Sequence, residues 1–356
     1  MPIRRRSLAL ALVAACLSVP LAAGVQKNDK KQDDAQKKEI QNVIKLVDDV
    51  ASGQPGPNDL NLAWAREDFL KAQGNKEYVP FTVTIDPSKV SGGTVALYWR
   101  VVAQQGAEAA AAAPAAKKDD KDKDKDKNKK KSDYAYEDIA FVPLAAGQPS
   151  MRISRSFTVP AGAYDVYVVA KEPTPDKAPK NAPPPKTSIV KQTVTVPDFW
   201  NGELNTSSVI IAQRIDPLPA PLTQQQQADR PYALGAMEIV PVADTKFTKK
   251  SELSTFMLIY NPKVDSSNKP DVTVEYNFYS KTGGTEKFFN KTKEQDLNAQ
   301  TLPPQFDLAA GHQLQSGQAV PLASFPEGEY RLEIKVTDKI ANKTLTRDVN
   351  FTVSAA

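Results

Sequence analysis

The 356-residue chain is poor in the side chains most chemistry needs: it holds one cysteine and one histidine. His312 lies in the turn-rich stretch LAAGHQLQSGQ. A lone loop histidine is far more often a solvated side chain than a catalyst, and multi-histidine metal sites are excluded by count. Cys16 falls inside an N-terminal apolar run, so removal of that run would leave no disulfide, no thiol chemistry and no zinc–cysteine site. No glycine-rich phosphate loop, nucleophile elbow or dinucleotide fingerprint occurs. Basic excess is lacking too. Of the formal +4, three charges sit on Arg4, Arg5 and Arg6 and four in Lys117–Lys131, so the remainder carries a net −3. No basic cluster marks a folded face for nucleic acid.

One apolar run is present, and it is at the start. MPIRRR is basic, Ser7 to Ala23 is almost unbroken apolar, and Ala22, Ala23 and Gly24 are small before the chain turns polar at Gln26. That order predicts a secretory signal peptide over 1–24, and hence a periplasmic or secreted protein without a transmembrane span. VAAC (Val13 to Cys16) has the form of a lipobox, so lipidation of Cys16 is the alternative. The apolar run LSVPLAA beyond the cysteine weighs against it.

The remainder is written twice. Val159 to Ala170 (VPAGAYDVYVVA) and Phe325 to Val336 (FPEGEYRLEIKV) both read Pro-x-Gly-x-Tyr and then alternate. Upstream, FTVTIDP (Phe81 to Pro87) matches FMLIYNP (Phe256 to Pro262), and TVALYWRV (Thr94 to Val101) matches DVTVEYNF (Asp271 to Phe278). Period-two apolar patterns between Pro, Gly, Asn and Asp are strand chemistry. The Tyr entry looks like a tyrosine corner, and Trp99 falls where immunoglobulin domains keep a core Trp. The expectation is an all-β chain of two tandem Ig-like or fibronectin-like sandwiches, at 58–216 and 233–356.

The first copy carries two insertions, 106–132 (Ala, Lys and Asp) and 172–186 (EPTPDKAPKNAPPPK), whose composition cannot bury a core; both are expected to be disordered hairpin tips. The stretch 217–232, rich in Pro and Gln, reads as a semi-stiff linker with few contacts. Within the polar segment 25–57, Ile40, Val43, Ile44, Val47, Val50 and Ala51 recur at helical spacing. One amphipathic helix of about four turns is too marginal to stand alone.

Candidate sites are few. DKDKDKNKKKSD (Asp122 to Asp133) mimics a calcium loop, yet Lys127 stands where the loop needs Gly and lysines alternate with every ligand. The mixed-charge reading prevails, and neither metal nor cofactor is expected. Asp198, Glu203 and Glu238 fall near strand ends, where acids are usually turn formers, so a carboxylate hydrolase is the least favoured function. Phe199 and Trp200 in DFWNGEL could stack a sugar ring or lodge between the sandwiches, the second being favoured. On the first copy's strand F, Tyr167 and Val169 point outward, and Met257 and Ile259 do so on the second copy's strand B. Such outward apolar pairs are either ordinary scatter or mark surface covered by the helix, the sister sandwich or a partner.

On LAWAREDFLKAQG, YVPFTVTIDP, VPDFWNGEL and FPEGEYRLEIKVTDK, the chain resembles exported tandem β-sandwich proteins of Acidobacteria-like soil bacteria. Their modules are similar to segments that accompany von Willebrand type A or GWxTD domains. The resemblance implies fold and location only; the Gly-Trp-x-Thr-Asp motif and an Asp-x-Ser-x-Ser metal site are lacking. The expected function is a non-enzymatic extracytoplasmic interaction or scaffold protein with a protein or envelope-polymer partner. A carbohydrate-binding module is the alternative.

Overall fold

A computed structural model of the chain describes residues 40–104, 134–145, 147–174 and 183–355. The expected signal peptide with Cys16, the inserted segment 106–132 and residues 175–182 of the second insertion lie outside them.

Each copy folds as two antiparallel sheets face to face. In the first, Lys76–Ile85 is flanked on one side by Ala63–Glu67 and Leu70–Ala72, two halves of one edge, and on the other by Met151–Val159. The facing sheet runs Tyr136–Pro143, Thr94–Ala103, Gly162–Lys171, Thr187–Val196. In immunoglobulin lettering this is A-B-E against C′-C-F-G. The second copy repeats it. Asn205–Thr206 with Ile210–Pro217, Glu252–Tyr260 and Leu314–Pro321 face Lys343–Ser354, Gly328–Asp338, Val272–Thr282 and the split edge Thr285–Lys291 with Gln295–Leu297. Two short strands, Met237–Pro241 and Ala233–Leu234, extend its first sheet, and Lys246–Thr248 runs parallel to its last strand.

The repeated motif does the same work in both copies. The Tyr164 hydroxyl donates to the Pro160 carbonyl at 2.9 Å and the Tyr330 hydroxyl to that of Pro326 at 2.7 Å. Gly162 and Gly328 share a φ of 149° and 150°, a conformation that excludes most side chains. Trp99 lies in the core, its indole N–H donating across the sandwich to the Ser156 carbonyl at 3.1 Å. Its counterpart Tyr276, set opposite Ile334 as Trp99 is opposite Val168, pairs its hydroxyl with Ser316 at 2.8 Å. Both bonds tie the middle of one sheet to the edge strand of the other.

The strand B alignment needs correcting by one residue. In the second copy Leu253, Met257 and Ile259 fill the core, while Phe256, Leu258 and Tyr260 face out of the sandwich. A one-residue slip exchanges the two faces of a strand. The run FMLIY is apolar on both faces because both are buried.

What buries that outer face is the first sandwich, and this overturns the expected domain boundary. The strand Ile210–Pro217, expected in the first copy, pairs with Glu252–Tyr260 of the second. Phe69, Leu70 and Tyr78 of the first copy then meet Ile210, Tyr232, Ile239, Phe256, Leu258 and Tyr260 in one apolar seam. The expected low-contact linker is a strap across it. Residues Gln224–Asp229 form a helix capped by a Thr223/Gln226 box, Asp229 pairs with Arg155 at 3.1 Å, and the Pro231 carbonyl accepts from the Tyr78 hydroxyl at 2.9 Å.

The N-terminal helix, 40–51, lies on the outside of the first copy's second sheet. Val43 and Val47 pack on Tyr98, Tyr167, Val169 and Ile189, and Asp48 pairs with Arg100 at 2.9 Å. Tyr167 and Val169 are therefore buried by the chain itself and offer no partner surface. Within the second insertion, the stem is fixed: Glu172 accepts from the amides of Ser91 and Lys186 at 2.6 and 3.0 Å.

Candidate functional site

The turn after strand Thr187–Val196 is built by its own side chains. Asp198 accepts from the Trp200 amide at 2.7 Å and Asn201 from that of Glu203 at 2.9 Å, while Gly202 takes φ 78°. This turn sends its two aromatics in opposite directions. Phe199 enters the seam, where its ring meets Tyr260 at 4.9 Å, so it too is no partner surface. Trp200 stays 40% exposed.

Trp200 is held in place from three sides. Its indole N–H donates to the Lys76 carbonyl at 3.1 Å, and the Lys71 ammonium sits 4.1 Å from its ring centroid. That ammonium donates to Asn261 at 3.0 Å, and the Asn261 amide in turn donates to the carbonyls of Phe199 and Glu203 at 3.0 and 2.9 Å. Asn261 adopts φ 55°, which Asn tolerates better than most residues. Trp200 and Lys71 form one wall of a cleft of about 760 Å³ between the sandwiches. Asn268, Leu308 and His312 of the second sandwich line it too, with the buried Ile259 and Tyr260. Gln73 and Gln313 add planar amides. Nδ1 of His312 accepts from the Asp307 amide at 3.0 Å, which leaves Nε2 to carry the proton of the neutral ring.

Two acids of the first sandwich are buried at the seam. Glu77 is 1% exposed; one carboxylate oxygen accepts from the Phe199 amide at 3.0 Å and the other has no hydrogen-bond partner. Burial pushes its carboxyl up to about 7, against the pull of the Phe199 amide. Burial also lowers the Lys71 ammonium, and Glu77 and Asp198 partly restore it. Deeper in the seam, Arg66 donates twice to Asp68 at 3.0 Å, and the Tyr232 hydroxyl bonds the same carboxylate at 2.7 Å. Burial raises the Asp68 carboxyl despite the pull of Arg66, and burial, then the Asp68 charge, raises the Tyr232 phenol well above its ordinary value.

The three acids singled out from sequence are engaged locally. Asp198 shapes the turn, Glu203 pairs with Lys343, and Glu238 pairs with Arg230. Sequence reasoning missed Glu77, Lys71 and the Arg66–Asp68–Tyr232 group. The one available signal was FMLIY, whose unbroken apolarity asks for cover on both faces.

No family model matches the chain, and no curated protein sequence matches it. Solved structures do. An immunoglobulin-like protein from Pseudomonas aeruginosa aligns at 14% identity and TM-score 0.20, over 41% of this chain and 97% of its own. A Salmonella alpha-2-macroglobulin reacted with methylamine aligns at 15% identity and TM-score 0.22, over 85% of this chain and 17% of its own. The native conformation of the Escherichia coli alpha-2-macroglobulin aligns at 12% and TM-score 0.22, over 85% and 16%. The chain thus spans under a quarter of the macroglobulins it matches. These TM-scores are low, and the all-β sandwich architecture follows from the chain's own strand pairing. Among the described residues no helix is long and apolar enough to cross a membrane.

Proposed function

We propose that the chain is a non-enzymatic extracytoplasmic scaffold that presents the inter-sandwich cleft to a protein or envelope-polymer partner. The observation that carries this reading is the seam. Two sandwiches joined by a free spacer would move independently. Here strap, turn and apolar seam fix them, so both cleft walls keep their spacing without a ligand. Such preorganisation lowers the ordering cost of binding. The leader-like start of the sequence supports export.

The test is capture from envelope extract by the chain lacking residues 1–24. Retained ligand that is lost with Trp200→Ala and kept with Phe288→Ala, an exposed aromatic remote in sequence from the cleft walls, supports the reading. Capture indifferent to both, or none at all, overturns it.

Exposed Trp200 beside the amides of Gln73, Asn268 and Gln313 favours a second reading, a carbohydrate-binding cleft. A sugar would stack on the indole and use the amides for its hydroxyls. The Lys71 ammonium already occupies one ring face, so stacking there requires its displacement. A glycan array probed with wild type and Trp200→Ala separates the two readings.

A further inference from the structure

Natural sheets protect exposed edges with charges, prolines or very short strands, because unpaired N–H and C=O groups recruit another strand. Among the described residues the sheet edges follow that rule with one exception. Tyr136–Pro143 carries Glu137 and Asp138, Thr187–Val196 carries Lys191, and Thr285–Lys291 carries Glu286, Lys287 and Lys291. Met151–Val159 carries two arginines and is covered by the helix Gln224–Asp229. Ala233–Leu234 is two residues long. The exception is Leu314–Pro321, LQSGQAVP, which ends its sheet with no charge and no proline before its last residue.

This edge is open as well as neutral. Its one bonded ladder partner is Glu252–Tyr260, and on the free side the Gln295 amide donates to the Gly317 carbonyl at 2.7 Å. That is a side-chain bond, which can yield to an incoming strand. Gln315 and Ala319 are exposed and share the outer face with Gly317. Gly317 is fixed by the fold: a Cβ there would stand 2.5 Å from the Thr255 carbonyl oxygen. Beside it a groove of about 420 Å³ is lined by Ile215, Met237 and Phe256.

The sequence of the edge also suits itself. Two antiparallel copies centred on Gly317 set Leu314 opposite Val320, Gln315 opposite Ala319 and Ser316 opposite Gln318. The core-facing pairs match in kind, Leu314 with Val320 and Ser316 with Gln318; the exposed pair sets Gln315 against the small Ala319, and no like charges oppose one another. A two-fold interface requires this kind of self-complementarity. We infer that Leu314–Pro321 is a homodimer edge, pairing antiparallel with the same strand of a second copy about Gly317, so that the two second-copy sheets become one continuous sheet. This goes beyond the cleft and does not depend on what the cleft binds.

Sedimentation equilibrium of the chain lacking residues 1–24, across its soluble concentration range, reads the association directly. Wild type should give a monomer–dimer equilibrium. Q315K/A319K sets Lys opposite Lys twice and should weaken the dimer at least about tenfold. Q315K/A319E sets Lys opposite Glu twice in this register and should restore it. Both positions are solvent-exposed in the monomer, so at dilutions where wild type is monomeric the thermal melts of the variants should track it. A monomeric wild type overturns the proposal. So does an equal response of the two double variants, which would place the contact on another face or in another register.

Discussion

The two sandwiches share strand order, corner motif and cross-sheet tie, and differ in which outer face is apolar. In the first, strand Gly162–Lys171 turns Tyr167 and Val169 outward, and the N-terminal helix covers them. The matching face of the second is a charge network: Arg331 bonds Glu286, Glu333 and Asp348 and lies over Tyr279, while Lys335 pairs with Glu275. On the strand B side the contrast reverses. Outward Thr82 of the first copy bonds Ser154, whereas outward Phe256, Leu258 and Tyr260 of the second belong to the seam. Both copies keep their inward positions apolar or aromatic, as the sandwich core requires. The outward residues diverged according to what each copy touches.

The sharpest way to break this comparison is to separate the copies. A fragment 233–356 lacks the strand Ile210–Pro217 and exposes Phe256, Leu258 and Tyr260, so it should aggregate or stay unfolded. Extending it to 203–356 restores the strand and should recover a cooperative melt, with exposed apolar surface detectable by dye binding. A cooperative fold for 233–356 would mean that the strand is dispensable and the seam incidental.

Next in size is the helix. Val43→Asp places a carboxylate against Tyr98, Tyr167 and Val169, where Val43 and its neighbours now exclude water. Losing the burial of two such side chains costs on the order of 3–6 kcal/mol, offset by the entropy the freed helix regains. The amides of 40–51 should then exchange at unfolded-chain rates, while the sandwich strands keep their protection. Unchanged protection at 40–51 would show that the helix is held by something other than its stripe.

How far these features were legible from sequence depends on which neighbour each residue reports. Inward alternation around Trp99 and the Pro-x-Gly-x-Tyr corners depends on nearby chain and was readable from period and spacing. The helix was readable because its stripe and Tyr167/Val169 are each locally anomalous. The boundary was not. Strand Ile210–Pro217 reads like any strand, and only its pairing assigns it to the second copy. Of the cleft, Trp200 stood out by residue type, but Lys71 and Glu77 are ordinary charged residues whose surroundings arise from a packing some 120 positions away in sequence, the Glu77–Phe199 bond spanning 122.

Glu77 gives a third test, on the seam's polar side. Its folded carboxyl titrates at about 7 against an ordinary 4.5, so between those values the folded chain holds a proton that the unfolded chain has lost. Stability should therefore fall as pH rises through that window. The span corresponds to an upper bound of about 3 kcal/mol at 1.36 kcal/mol per unit. Glu77→Gln keeps the acceptor for the Phe199 amide and removes the titration. It should flatten the pH dependence in denaturant melts and stabilise the chain at pH 8. A variant that keeps the slope would assign the dependence to another group, Asp68 first.

The smallest expected effect concerns Lys71, which the first copy extends to the turn and to the second. Its ammonium over Trp200 and its bond to Asn261 are partly exposed, and a cation–π pair of this kind contributes about 0.5–1 kcal/mol. Lys71→Met keeps the aliphatic stem and removes the charge, so the melt should shift by only a degree or two. The sharper reading is optical. With the ammonium gone, Trp200 emission should change in intensity, and iodide, which the Lys71 charge attracts, should quench it less than in wild type. In Trp200→Leu the indole N–H bond to Lys76 is lost as well as the π face, and the two substitutions combined should cost less than their sum, because each removes the same cation–π pair. Strict additivity would mean that Lys71 and Trp200 line the cleft independently, and that the wall they form is not held before a ligand arrives.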